Sequence, residues 1–304
     1  MSLVGSGSAG EHVLSFVIGT GRCGSTLVHE VLARHPEVGF VSNLDDRYAR
    51  CPGWVRRNSG AIYRRVPPRL TAKGRLRYAP SEAYSALARE VSPLLVDPFR
   101  DLLASDVTPW LARRTRAFFE SRAEAEGAPA YLHKFTGWPR TGFLREIFPG
   151  TRFVHIVRDG RAVANSLVQM PWWRGHLGPE GWSFGPLPER YAREWDAEGR
   201  PLVHLAGLAW KHLIDAYGAA REALPEDAWL EVRYEDIVAD PRKHLEVILE
   251  FLGLSWTHGF ERGFARYSFS ASRADAFRRD LTPAQVGLLD RSLGGHLERF
   301  GYQL

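Results

Sequence analysis

Cysteine and methionine are scarce, with two of each in 304 residues. Cys23 and Cys51 form no CxxC pair, which rules out a disulfide scaffold, a cysteine-built structural zinc site and a redox dithiol, and makes a reducing, cytoplasmic setting the expectation. Long apolar runs are missing too. No stretch approaches 18 uncharged apolar residues, and the opening MSLVGSGSAGEHVLS lacks a basic start followed by an apolar core, so neither a membrane span nor export is expected. Lysine is limited to Lys73, Lys134, Lys211 and Lys243, so arginine supplies most of the 40 basic residues behind a net charge of +5. Its planar fork suits phosphate and sulfate, although the same skew also arises from base composition, and net charge alone selects no partner.

What is present is the make-up of a folded domain: 44% hydrophobic and 25% charged residues are incompatible with a disordered chain. His12 to Ile18 reads as a β-rich run that stops at Gly19-Thr20-Gly21. From Ser25, Leu27, Val28, Val31 and Leu32 follow helical spacing until His35-Pro36. Further strands are expected at 38–41, 130–133, 151–157 and 229–232. Helices are expected at 81–96, 109–125, 137–150, 162–168, 189–224 with a break near Gly199-Arg200-Pro201, 241–252 and after Thr282-Pro283. Continuous apolar strands alternating with helices imply a parallel sheet covered on both faces. The expected fold is therefore a P-loop-like three-layer α/β/α domain with a central parallel sheet. Residues 45–80 show no clear period and read as an insertion, 170–188 as a loop, and 266–279 as an arginine-rich loop.

The sharpest motif is Gly19-Thr20-Gly21-Arg22-Cys23-Gly24-Ser25-Thr26, at a strand-to-helix turn. Glycines let successive amides converge while the helix start adds free N–H groups and a positive dipole end, a combination that holds anions. Ser25 and Thr26 offer hydroxyls, and Arg22 a guanidinium. A Walker loop needs lysine before the hydroxyl residue, and glycine stands there instead. The dinucleotide pattern GxGxxG is present, with Asp45 placed roughly where a ribose-binding carboxylate sits, so the loop alone leaves a nicotinamide enzyme open.

A second arrangement narrows the choice. In TRFVHIVRDGRAVANSLV, residues 151–168, Arg158 ends an apolar strand and Ser166 follows eight residues later in the next helix, so both can reach one phosphate above the sheet's carboxyl edge. A dinucleotide enzyme has no need of it.

With both motifs in hand, the chain resembles the sulfotransferases that use 3'-phosphoadenosine 5'-phosphosulfate (PAPS), nearest to their bacterial and tyrosylprotein-type branches. Gly19, Arg22, Cys23, Gly24, Ser25, Thr26 and Leu27 match the family loop, and Phe148-Pro149 through Arg161 and Ser166 match its second motif. Trp210 and the segment 232–241 also look like family elements, and the similarity runs roughly from residue 13 to 255 with the insertion unmatched. The resemblance implies one sulfotransferase domain over 1–304, with an inserted region at about 45–130 contributing to acceptor binding. It implies a 5'-phosphosulfate site at Gly21, Arg22, Cys23, Gly24, Ser25, Thr26 and Leu27, and a 3'-phosphate site at Arg158 and Ser166, with Arg273 closing over the nucleotide. The implied reaction is in-line sulfo transfer to an acceptor hydroxyl or amine, releasing adenosine 3',5'-bisphosphate (PAP), with no metal required.

An acceptor hydroxyl needs a base within reach. The glutamate that family members carry after the second strand is replaced here by Ser42-Asn43-Leu44-Asp45-Asp46, which makes Asp45 or Asp46 the expected base. Lys134 resembles a family lysine and is the expected cation at the transfer site, Arg22 a second, and His133 an alternative base. His155 reads as a core residue, and Trp54, Trp138, Trp172 and Trp173 as core or lid. Expected acceptors are a small molecule, lipid, carbohydrate or peptide. Nucleic acid is not an expected partner, because no reader motif is present. The alternatives are a nucleotide-dependent kinase and a noncatalytic anion- or carbohydrate-binding protein; oligomeric state is not legible.

Overall fold

The computed structural model describes residues 13–49, 51–67, 70 and 78–304. His12, Lys73 and the basic stretch around it lie outside them. Among the described residues, five strands form one wholly parallel sheet in the order β2-β3-β1-β4-β5: β1 Val13–Gly19, β2 Val38–Gly39, β3 Ala130–Thr136, β4 Arg152–Val157 and β5 Trp229–Arg233. The period-2 alternation of β1 decides the layering. Leu14, Phe16 and Ile18 face one core with helices Pro109–Glu126 and Thr141–Ile147, while Val17 faces another with helices Ser25–Leu32 and Pro241–Phe251. A third core packs helix Gly160–Val168 against Leu202–Glu222 and Pro283–Arg299. The result is the expected three-layer α/β arrangement.

Local chemistry sets the ends of these elements. Asp159 accepts from Arg161 N to cap helix Gly160–Val168, Pro241 and Pro283 open their helices, and the run 189–224 breaks into Glu189–Ala197 and Leu202–Glu222 around Gly199-Arg200-Pro201. Two expected helices are shorter than their patterns. The 81–96 run is helical only over Tyr84–Glu90, because Ala83 takes a left-handed φ of 53° and Ser92-Pro93 starts a separate 3-10 turn. The 137–150 run is helical only over Thr141–Ile147, delayed by left-handed Gly137 and Arg140.

The chain leaves β1 for one side of the sheet (β2, then β3) and later builds β4 and β5 on the other. Such a sheet opens a crevice at the carboxyl ends of its central strands. Gly19 pairs with Thr136 there, and Val157 with Arg233. Beyond β2, Asn43 N donates to Ala79 O at 2.9 Å and Ser81 N to Val41 O at 2.8 Å, so the end of the inserted stretch returns to the same edge.

Candidate active site

The loop after β1 folds as its glycines dictate. Gly21, Arg22 and Gly24 adopt φ of 85°, 56° and 91°, turning the backbone so that the following amides converge. Helix Ser25–Leu32 then starts at Gly24 with no side-chain cap, leaving its first-turn N–H groups and positive dipole end for an anion. Cys23 is fully buried, with Sγ against Gly19, so its contribution to the loop is backbone alone. Leu27 packs on the apolar core beneath. Gly24 is doubly constrained, since a Cβ there stands only 2.2 Å from Tyr234 Cδ2 on top of the left-handed φ. Gly24→Ala is therefore expected to weaken PAP binding by about tenfold or more, as measured by titration calorimetry, through strain of about 1–3 kcal/mol in the loop. Wild-type affinity in that variant contradicts the assignment of the loop.

The second motif meets the first directly. Arg22 Nε donates to Ser166 Oγ at 2.9 Å, and Arg158 Nη1 donates to Arg22 O at 2.9 Å. Arg158 Nη2 reaches Arg273 O at 2.5 Å, its guanidinium lies 4.8 Å from the Tyr234 ring centre, and its Nε is buried without a partner. Burial, and then the charges of Arg158 and Arg273, push the Arg22 pKa down. Like charges gathered at one spot are costly unless an anion joins them, which makes the spot a candidate anion site. The structure thus brings Arg22, Ser166, Arg158 and Arg273 to one place on the sheet edge.

On the β3 side, Lys134 Nζ donates to Thr26 Oγ1 at 2.7 Å and to Glu82 Oε1 at 2.6 Å. Thr136 Oγ1 donates to Glu82 Oε2 at 3.1 Å and exchanges a 2.9 Å hydrogen bond with the Tyr84 hydroxyl. Burial alone raises the Glu82 pKa, but the Lys134 charge and the hydrogen bonds of Lys134, Tyr84 and Thr136 outweigh it and hold the carboxyl below its ordinary value. A cavity of about 220 Å3 opens here, with Thr26, His29, Asp46, Glu82, Tyr84 and Lys134 in its wall.

The remaining expected site residues are placed differently. Asp45 is a structural anchor: Arg122 Nε donates to its Oδ2 at 2.6 Å and Arg56 Nε to its Oδ1 at 3.0 Å, in the interior. Asp45 is also absent from the wall of the cavity beside Lys134, a placement that argues against its expected role as a base. Asp46 lines the cavity, but it accepts from Ser81 Oγ at 3.0 Å and Ala86 N at 2.8 Å and so organises the turn around Glu82. His133 is corrected as well. It is fully buried among Phe16, Phe119 and Phe135, on the opposite face of β3 from Lys134, and burial, then the nearby His29, drives its pKa far below the ordinary value. His155 stacks on Tyr217 in the core, its ring centre 4.2 Å away. Trp138 and Trp173 are buried, whereas Trp54 and Trp172 are exposed. Glu82 escaped the sequence analysis because SEAYSALARE reads as a helix start, where an acidic residue is ordinary. Among the described residues no three His, Cys, Asp or Glu side chains group as metal ligands.

The fold defines the class first: a P-loop-like three-layer α/β protein whose loop follows the central strand of a parallel sheet. Within that class the chain belongs to the sulfotransferase family, whose profile matches residues 15–258. It is 25% identical over 168 residues to the omega-hydroxy-beta-dihydromenaquinone-9 sulfotransferase Stf3 of Mycobacterium tuberculosis, covering 54% of this chain but only 38% of that protein. It is 24% identical over 346 residues to carbohydrate sulfotransferase 5 of Mus musculus, covering 97% of this chain and 82% of that one. Among solved structures, the sulfotransferase STF1 of Mycobacterium tuberculosis H37Rv superposes with a TM-score of 0.56 at 18% identity over 94% of this chain and 77% of that one, a likeness of fold.

Proposed function

We propose that this protein transfers a sulfo group from PAPS to an acceptor hydroxyl or amine and releases PAP. The observation that carries the reading is the Arg22–Ser166 hydrogen bond of 2.9 Å, which joins an uncapped glycine loop to an arginine cluster. In this reading the backbone of Gly21 to Leu27, with the Ser25 and Thr26 hydroxyls, holds the 5'-phosphosulfate. Arg158, Ser166 and Arg273 hold the 3'-phosphate. The donor set fits such a ligand: converging amides, hydroxyls and guanidiniums are the groups that bind phosphate and sulfate oxygens. In this reading Lys134, bonded to Thr26 of the loop, and Arg22, within the loop itself, are the cations expected to stabilise the charge that shifts during transfer. The kinase alternative is disfavoured by glycine in place of the Walker lysine.

The stretch from about 45 to 130 supplies the acceptor side, since Ser81, Glu82 and Tyr84 reach the cavity beside Lys134. Relatives named for a menaquinone-type lipid and for carbohydrate support an alcohol as the acceptor. A cytoplasmic location belongs to the same reading, in keeping with the unpaired, buried Cys23 and Cys51.

Titration with PAP tests the donor half. Wild-type protein is expected to bind in the micromolar range, and Arg158→Ala about 100-fold more weakly, the loss of about 2.7 kcal/mol that two charge-assisted contacts to one phosphate contribute. Folded wild-type protein that fails to bind PAP refutes the proposal.

A further inference from the structure

Resting on the sulfo-transfer reading, we propose that Glu82, delivered by the inserted stretch, is the general base that takes the acceptor's proton. Three observations carry this. The first is how firmly the turn is held. The main chain of 79–81 is tied to the end of β2 through Asn43 N to Ala79 O, Ser81 N to Val41 O and a Ser42–Pro80 bridge. Asp46 holds Ser81 Oγ and Ala86 N from below. A carboxylate carried on such a turn is pre-positioned, as a catalytic group must be.

The second is its neighbours. Glu82 Oε1 lies 2.6 Å from Lys134 Nζ, which itself lies 2.7 Å from Thr26 Oγ1 in the anion loop. One lysine therefore separates the carboxylate from the loop that holds the group to be transferred. The carboxylate also lines the 220 Å3 cavity, whose size suits the hydroxyl-bearing end of an acceptor.

The third is how the competing groups are occupied. Asp45 is held by Arg122 and Arg56 away from the cavity wall, and Asp46 is bound to the turn. Glu82 remains ionised across neutral pH.

The step balances simply. The acceptor oxygen's lone pair forms a new S–O bond, and the bond from sulfur to the 5'-phosphate oxygen breaks with its electron pair passing to that phosphate. The acceptor proton moves to a Glu82 carboxylate oxygen and then to solvent. Lys134 stands beside both the base and the transferring oxygens, so it stabilises the carboxylate at rest and the shifting charge afterwards.

The test compares wild type, Glu82→Gln and Glu82→Asp, with thermal unfolding as a check that each is folded. Affinities for PAP and for PAPS are measured without acceptor, and turnover is measured with radiolabelled PAPS and a phenol, an aliphatic alcohol and a hexosamine. In Glu82→Gln the PAP affinity is expected to stay within about threefold, while PAPS tightens relative to PAP by about threefold or more, because a negative charge beside the sulfo group is gone and Lys134 is released towards it. Turnover is expected to fall by about 100-fold or more. Glu82→Asp keeps the wild-type PAPS-to-PAP ratio. An unmoved ratio in a folded Glu82→Gln protein, or turnover within about threefold of wild type, overturns the role of Glu82. Absence of PAP binding in wild type overturns the sulfo-transfer reading instead.

Discussion

Replacing Lys134 with methionine is expected to lower sulfo transfer by about 10²–10³-fold while changing PAP affinity by less than about threefold. The side chain is 3% exposed and its ammonium bridges the anion loop and Glu82, so methionine keeps most of the volume and removes the charge alone. PAP lacks the sulfo group, and its binding therefore reports the phosphate contacts without the lysine. PAPS binding and turnover both include the lysine, and both should suffer, with the larger loss in kcat because transition-state charge exceeds ground-state charge at the bridging oxygen. The partner residue responds too. Without Lys134 the Glu82 carboxylate loses its strongest counter-charge and its pKa rises, the reverse of its present depression. Equilibrium titration and single-turnover measurements on the same preparation separate the two effects. A kcat within tenfold of wild type shows that the lysine is only a structural partner of Glu82.

The second large effect is on stability. Arg122 and Asp45 are each 2% exposed, and Arg122 also bonds Glu90 Oε2 at 2.9 Å and Phe118 O at 3.1 Å. Arg122→Ala leaves the Asp45 carboxylate buried with Arg56 as its one remaining guanidinium partner in this cluster. Removing one member of a buried pair costs about 3–5 kcal/mol, most of it from the charge left behind. Because Arg56 remains, the lower end of that range is expected, and urea unfolding at neutral pH measures it. The doubly neutral Arg122→Met/Asp45→Asn protein should recover part of the loss, because no charge is then stranded. Destabilisation below about 1 kcal/mol in Arg122→Ala places the pair among weak surface contacts and contradicts its burial.

These two residues also mark where the sequence was legible and where it was not. The run from Val13 to Thr26 changes period at a glycine cluster, and a period change is a local signal, so the strand, the loop and the following helix could all be read directly. Arg158 and Ser166 were legible for the same reason, because a strand end and the next helix share one edge of a parallel sheet. Asp45 misled because its buried partner Arg122 stands 77 residues away, and the pairing that draws the carboxylate into the interior is not a local signal. His133 and Lys134 differ by one position and therefore face opposite layers, and the layer each meets is fixed only when β1 and the flanking helices are in place. Glu82 was hidden by a helical pattern that begins three residues too early, ahead of a left-handed Ala83 which sequence alone does not reveal.

The return of residues 79–81 to the tip of β2 has an evolutionary side. On the proposed reading, donor recognition is encoded in two short stretches, 19–27 and 158–166, with Arg273, whereas the acceptor wall is encoded in a separate stretch, about 45–130, whose residues 79–81 are tied back to Val41, Ser42 and Asn43. A lineage can therefore exchange that segment, or lengthen it, and acquire a new clientele without rewriting the grip on its donor, provided that each replacement brings its own carboxylate to Lys134.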